Sequence, residues 1–300
     1  MTTTTWPSLR SRGHEYLRLC KPKVVTLIAF TAMAGMALAV PGLPDAAAFL
    51  TASLGIGLAA AGAAAFNCLV EQGIDARMQR TRLRPLPGGR VSSAEALLLA
   101  GSLATLGLYL LHRYVNPLTA WLTFATFIGY AVVYTVLLKP ATPQNIVIGG
   151  ASGAMPPLLG WAAMTGQLGH EPLLLFLIVF AWTPPHFWSL ALYRKDDYAR
   201  AGLPMLPVTH GEHYTCLHIL FYTLLLTAVT LLPVATGMSG GLYALAAICL
   251  NAIFIGHAWQ LCRRYSAGQA RRAFAWSIKY LSLLFAALLV DHWSASWLPV

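Results

Sequence analysis

Residues Ala46 to Val70 read AAAFLTASLGIGLAAAGAAAFNCLV, and the chain continues Glu71-Gln-Gly-Ile-Asp75-Ala-Arg77-Met-Gln-Arg80-Thr-Arg82-Leu-Arg84-Pro85-Leu-Pro87. As a helix, the first run is long enough to cross about 30 Å of hydrocarbon. It ends in an amide, and acids and arginines follow at once. The 300 residues hold only ten Asp and Glu, and four of them lie here and in a second, similar segment, Tyr193-Arg194-Lys195-Asp196-Asp197-Tyr198-Ala-Arg200-Ala-Gly202-Leu-Pro204-Met-Leu-Pro207. Carboxylates mixed with guanidinium and ammonium groups suit a divalent metal that itself holds a diphosphate, because the acids take the hard cation and the basic groups take phosphate oxygens.

Composition assigns the class. The chain is 57% hydrophobic and 10% charged, with mean hydropathy +0.63, far from the roughly 25% charged content of soluble domains. Apolar stretches recur near 24 to 40, 46 to 70, 94 to 111, 118 to 138, 145 to 164, 173 to 192, 214 to 236, 241 to 262 and 273 to 291. These predict a single all-α integral membrane domain over residues 1 to 300, with nine transmembrane helices and a flexible segment 1 to 15. The segments that share a side with the amino terminus hold Arg10, Arg12, Arg18, Lys21 and Lys23, then Arg77 to Arg90, Lys139, Arg194 to Arg200, and Arg263 to Arg272, whereas the opposite loops hold only Arg113. By the positive-inside rule the amino terminus is cytoplasmic. The net charge of +10 then reports topology and anionic headgroups, and not nucleic acid. Trp121, Trp293 and Trp297 are expected at the outer boundary.

Ala37-Leu38-Ala39 mimics a signal-peptidase site, but the long basic region before it and the spans after it predict an uncleaved helix. Cys20, Cys68, Cys216, Cys249 and Cys262 form no Cys-x-x-Cys pair and read as packing residues. The loops on the outer side are short, whereas the two acid-bearing loops are long, as functional loops are. Four spans separate them, so both lie on one membrane face, and their likeness suggests an internal duplication.

Asn67, Glu71 and Asp75 are spaced i, i+4, i+8, which places them on one helical stripe about 12 Å long. One reading makes them metal ligands; the other makes them helix caps paired with Arg77 and Arg80 in a solvated loop. A carboxylate turned toward the membrane interior costs about 2 to 3 kcal/mol and usually has a function or a partner, which favours the first.

Asn67-x-x-x-Glu71-x-x-x-Asp75, followed by Arg80-Thr81-x-x-Arg84-Pro85-Leu86-Pro87, resembles the first aspartate-rich motif of the intramembrane, UbiA-type prenyltransferase superfamily, with Glu71 in place of the middle Asp. Trp182-Thr-Pro184-Pro185-His186-Phe187-Trp188, Asp196-Asp197-Tyr198-x-x-Ala201-Gly202-x-Pro204-Met205-Leu206-Pro207, Lys21-Pro22-Lys23 and Ser277-x-x-Tyr280-Leu281 are similar to its protohaem farnesyltransferase branch. The resemblance implies a helical bundle around a central cavity and transfer of the farnesyl group of farnesyl diphosphate to the 2-vinyl group of haem b, with addition of water. It implies Mg²⁺ on Asn67, Glu71, Asp75, Asp196 and Asp197. Diphosphate would be gripped by Arg80, Arg84 and Lys195, with Arg77, Arg194 and Tyr198 beside them. His186 would ligate haem iron, bond a propionate or direct the water, in space opened by a break at Pro184-Pro185. Membership further implies a place in the cell (inner) membrane with a cytoplasmic active face, contact with membrane lipids, and partners such as haem A synthase, other oxidase-assembly proteins or a second copy.

The alternatives are another intramembrane polyprenyl transferase, a transporter, which would spread charges along a path through the bilayer, and a b-type cytochrome, which would pair histidines. His218 and His257 lie in spans but read as structural. Phe124, Phe127, Phe176 and Phe180 read as packing. The topology is testable: in a cysteine-free background, cysteines placed at Gln79 and Ala199 are expected to react with an impermeant thiol reagent only from the cytoplasmic side, and labelling from outside would invert the orientation.

Overall fold

The computed structural model describes residues 9–295, and every regular element among them is helical. The elements in order are α1 (Leu9–Leu19), α2 (Pro22–Leu38), α3 (Ala46–Val70), α4 (Gln72–Arg77), α5 (Ser93–Tyr114), α6 (Pro117–Ala141), α7 (Asn145–Thr165), α8 (His170–Tyr193), α9 (Lys195–Arg200), α10 (Leu206–Thr209), α11 (Gly211–Ala235), α12 (Gly241–Arg263) and α13 (Ala267–Ala295). Eight of these helices are long and apolar enough to span a membrane, or nine spans if α1 and α2, bent by 53°, are counted as one more. The expected nine-span helical architecture is therefore present. Of the expected flexible amino terminus, residues 9 to 15 are helical: Arg12 pairs with Glu95 on α5, and Glu15 pairs with Arg90 at 2.9 Å. Residues 1–8 and Trp297 lie outside the described residues. Trp121 stands 66% exposed near the start of α6, as an interfacial anchor would.

Element boundaries follow local chemistry. The side chain of Asp45 accepts the Ala48 N–H at 2.8 Å to start α3, and Ser92 with Glu95 forms a reciprocal capping box on α5. The bend between α1 and α2 falls at Lys21, whose neighbour Pro22 bars it from the right-handed helical region. Lys21 adopts φ 48°, the only positive φ among the described non-glycine residues. The prolines of α8 do not break it as expected. The helix runs unbroken through Pro184 and Pro185, with the Ser189 hydroxyl donating to the Pro185 carbonyl at 2.7 Å. Neighbouring helices and hydroxyl side chains allow such a passage in an apolar bundle.

Small residues let helices meet closely, which is the means of association where lipid is as apolar as leucine. A Cβ built on Gly160 of α7 would lie 1.9 Å from the Ala32 carbonyl oxygen of α2, and one on Gly35 would lie 2.1 Å from that of Pro157. At the far end of the bundle from the acidic segments, Asp291 of α13 accepts the Gly240 and Tyr243 N–H groups and caps α12. A groove of about 840 Å³ passes Leu97, Gly101 and Tyr109 on the outward face of α5 and contains none of the acids expected in a central cavity.

The expected cost of disturbing the α2–α7 contact is large. Gly160→Ala should lower thermal stability in detergent by about 1–3 kcal/mol through overpacking, although alanine is the better helix former. Gly57→Ala, where a Cβ would meet nothing within 4 Å, should be neutral or stabilising. Equal melting of the two variants would contradict the close packing.

Candidate active site

α3 ends where its stripe turns polar. Glu71 departs from helical geometry at φ −84°, ψ 5°, and α4 resumes for six residues before Met78 extends. Backbone bonds cross this step, from the Glu71 N–H to the Asn67 carbonyl at 3.0 Å and from the Asp75 N–H to the Glu71 carbonyl at 2.8 Å, which keeps the three side chains near one stripe. The second segment repeats the design. α8 ends, Arg194 departs at φ −114°, ψ 16°, and α9 runs for six residues. Ile74 and Met78 of the first segment belong to one apolar cluster with Tyr198, Leu203 and Met205 of the second. The two acidic segments therefore stand together at one end of the bundle, and neither is a structureless loop.

Asn67, Glu71, Asp75 and Asp197 are all buried, with 2 to 4% exposure. Burial of ionised carboxylates is tolerated only with partners, and each acid has them. Glu71 Oε1 accepts from Lys139 Nζ at 2.5 Å and from Asn67 Nδ2 at 2.8 Å. Asn67 Nδ2 also reaches Thr135 Oγ1 at 3.0 Å, and its Oδ1 accepts from the Lys21 ammonium. Asp75 Oδ2 accepts from Arg84 Nη1 at 2.7 Å, while its carbonyl takes the Thr81 hydroxyl at 3.0 Å. Asp197 faces Arg200 at 2.5 Å and Arg194 at 3.6 Å. Burial alone would raise the Glu71 carboxyl, but the charges of Lys139 and Lys21 outweigh it and hold the group below its ordinary value of 4.5. Burial likewise opposes the charge of Arg84, and Asp75 reverses that effect and raises it.

Not every expected residue joins this set. Asp196 is exposed beside buried Asp197, because successive residues of α9 point to different sides. Arg77 and Arg80 are exposed, which also removes the reading in which they neutralise the acids. Lys195 turns instead to Glu212 at 3.3 Å. Arg84, Arg194 and Tyr198 do lie at the site. Lys21, Lys139, Thr135 and Arg200 complete it, although sequence reasoning used the two lysines only for topology and motif matching. The available signal was position: Lys139 is a lone cation closing a long apolar span, and Lys21 immediately precedes a helix-starting proline.

The donors fit a hard divalent ion. All are oxygens, and Asp197 Oδ2 is a buried acceptor without a hydrogen-bond partner. Among the described residues no three His, Cys, Asp or Glu side chains converge on one point, so the carboxylates stand at separate helix ends and form no closed cage. That arrangement suits a metal bound through a few carboxylates plus substrate phosphate.

His186 lies about two turns before the end of α8. Its Nδ1 is 2.7 Å from Ser277 Oγ on α13, and its ring stacks on Trp182 at 4.3 Å and on Phe274 at 4.7 Å. His218 donates to the Tyr214 carbonyl at 2.9 Å, and His257 packs 6.0 Å from Trp276, in keeping with structural roles.

The pairing of Lys139 with Glu71 can be measured. Removing one partner of a buried pair leaves an uncompensated charge, so Lys139→Met should cost about 3–5 kcal/mol of stability. Glu71→Gln combined with Lys139→Met should cost less than the sum of the single changes. Additive losses in thermal unfolding would mean that the two groups do not interact.

Comparison with known proteins places these features. The UbiA prenyltransferase family model matches residues 28–289. The chain is 65% identical over 282 residues to the protoheme IX farnesyltransferase of Thiobacillus denitrificans, covering 94% of this chain and 95% of that protein. It is 60% identical to that of Dechloromonas aromatica, over 97% and 99% of the two chains. Among solved structures, a digeranylgeranylglyceryl phosphate synthase superposes with a TM-score of 0.78 at 18% identity, over 94% of this chain and 99% of that one. A UbiA homologue from Archaeoglobus fulgidus bound to DMAPP and Mg²⁺ superposes with a TM-score of 0.61 at 15% identity, over 91% and 99%. With the family model matching residues 28–289, curated relatives matching over nearly the whole chain and the helical bundle superposing on solved members, the chain belongs to the UbiA prenyltransferase family, in its protoheme IX farnesyltransferase branch.

Proposed function

We propose that this protein transfers the farnesyl group of farnesyl diphosphate to the 2-vinyl group of haem b, adding water and releasing diphosphate and haem O, at the cytoplasmic face of the cell (inner) membrane. The observation that carries the reading is the buried set of oxygen donors, each held by a cation, at one end of an otherwise apolar bundle. Asn67, Glu71, Asp75 and Asp197 would hold Mg²⁺. When bound, the ion would supply charge that stabilises the departing diphosphate.

The chain's own cations provide the rest of the electrostatics. Lys21, Lys139, Arg84 and Arg194 stand within reach of the carboxylates and are placed to transfer to phosphate oxygens when the acids take up metal. Arg84 makes a fork suited to two phosphate oxygens, whereas the lysines act as point charges. In the reaction the allylic C–O bond breaks and the new C–C bond forms from the terminal vinyl carbon. Water then adds at the neighbouring carbon and gives up a proton. Preorganised donors lower the barrier because they need not reorient as charge develops, and the apolar wall keeps water from the allylic cation until the vinyl carbon attacks. Tyr198, buried beside Asp197, contributes to that wall. His186, deeper in the bundle, serves the haem. The farnesylated product remains in the bilayer, where a haem A synthase or another oxidase-assembly protein, or a second copy of the chain, would be its neighbour.

Asp75→Asn and Asp197→Asn should each lower turnover by at least about 10²-fold, as loss of a ligand in a charge-stabilising site does. Haem binding should persist. Turnover near that of the unaltered protein in either variant would remove that residue from the metal site.

A further inference from the structure

Ser277 connects three groups around His186. Its hydroxyl oxygen lies 2.7 Å from His186 Nδ1 and 2.7 Å from the Phe274 carbonyl oxygen, and its own carbonyl accepts the Trp182 Nε1–H at 2.8 Å. A hydroxyl has one proton, and a carbonyl can only accept. The two contacts of the Ser277 hydroxyl are therefore hydrogen bonds together only if its proton goes to Phe274 and Nδ1–H of His186 is the donor to its oxygen. In the neutral ring that assignment leaves Nε2 with a free lone pair. We propose that Ser277 is a positioning residue that fixes His186 in this tautomer, so that Nε2 is presented to haem iron as a ligand.

The rest of the geometry supports orientation as well as protonation. Trp182 and Phe274 stack on the imidazole at interplanar angles of 19° and 27°. Trp182 is tethered through Ser277, and Phe274 lies one turn earlier on α13, so the ring is held by a single stretch of that helix. An imidazole whose Nδ1–H is tied to a protein acceptor while Nε2 stays free is the usual arrangement of a metal-ligating histidine. A haem propionate needs a donor, which this tautomer does not offer. Of the three roles open to His186 from sequence, this tautomer removes the propionate bond; a free Nε2 serves either iron or the proton of the adding water, and the ferric haem absorption spectrum separates the two. The inference rests on the reading that His186 serves the haem.

The test uses the full chain in detergent, with histidine labelled by nitrogen-15 and the His186 signal identified by its loss in His186→Gln. The unaltered protein should show a protonated Nδ1 and an unprotonated Nε2. Ser277→Ala should shift the ring toward the other tautomer, alter the ferric haem absorption spectrum and weaken haem affinity by about 10-fold or more, as loss of an outer-shell partner does. Ser277→Thr keeps the hydroxyl and should restore the tautomer and the spectrum. Both variants should retain Mg²⁺-dependent binding of a non-hydrolysable farnesyl diphosphate analogue, which shows that the bundle is folded. A protonated Nε2 in the unaltered protein would overturn the proposal, as would an unchanged haem spectrum and affinity in Ser277→Ala. If His186→Ala bound haem unchanged while the tautomer was as expected, the haem role of His186 would fall, and with it the ligand assignment, while the Ser277 hydrogen bond stood.

Discussion

Glu71 is bound at once by Lys139, from the end of α6, and by Asn67, from the end of α3, and Asn67 in turn is bound by Lys21 at the start of α2. Three helix ends thus meet through one buried carboxylate. Its desolvation, several kcal/mol for an unpaired ion, makes the meeting compulsory: the acid is tolerated in the bundle only where two cations converge on it. The same constraint recurs at Asp75 with Arg84 and at Asp197 with Arg200 and Arg194. The acid-bearing end of the bundle is therefore a set of ion pairs, and under the proposed function their cations exchange between carboxylate and phosphate. That exchange is the chemistry a diphosphate-leaving reaction requires.

The remainder of the fold serves to keep this set in register. α3 and α5 approach closely through glycines: a Cβ on Gly62 would fall 2.7 Å from the Ala100 carbonyl oxygen, and one on Gly107 would fall 2.6 Å from that of Gly55. α2 and α7 meet through Gly35 and Gly160 in the same manner. Close backbone packing leaves little freedom for sliding, so α3 is fixed against α5 and α2 against α7 before any ligand binds. At a second depth, α8 and α13 hold His186 through Trp182 and Ser277. About two turns of α8 lie between the polar level and the His186 level, and under the proposed function the first takes the diphosphate and the second the flat, mainly apolar haem.

Much of this was readable from residue order. The apolar runs predicted most spans to within a few residues, because a membrane leaves helices as the only choice for such segments, though the last helix begins at Ala267, ahead of the expected 273. The i, i+4, i+8 spacing of Asn67, Glu71 and Asp75 survived even though α3 breaks at Glu71, since the backbone bonds continue across the break. Spacing alone was blind to neighbours brought in from other helices. Lys21 and Lys139 lie 46 and 68 residues from their partners, and their places, before a helix-starting proline and at the close of an apolar span, mark them without naming those partners. Of the adjacent acids Asp196 and Asp197, only the second is buried, because helical rotation turns neighbours to different sides, and sequence cannot say where that rotation starts. Pro184 and Pro185 suggested a broken helix; tertiary packing kept it whole.

The central claim is that the polar end and the His186 level act on two substrates in one reaction. It is tested most directly by incubating the purified protein in detergent with haem b, farnesyl diphosphate and Mg²⁺, then extracting the haem for mass spectrometry. The account predicts a haem heavier by one farnesyl group and one hydroxyl, formed only when all three are present. Recovery of unaltered haem from folded protein that has bound both substrates would contradict it.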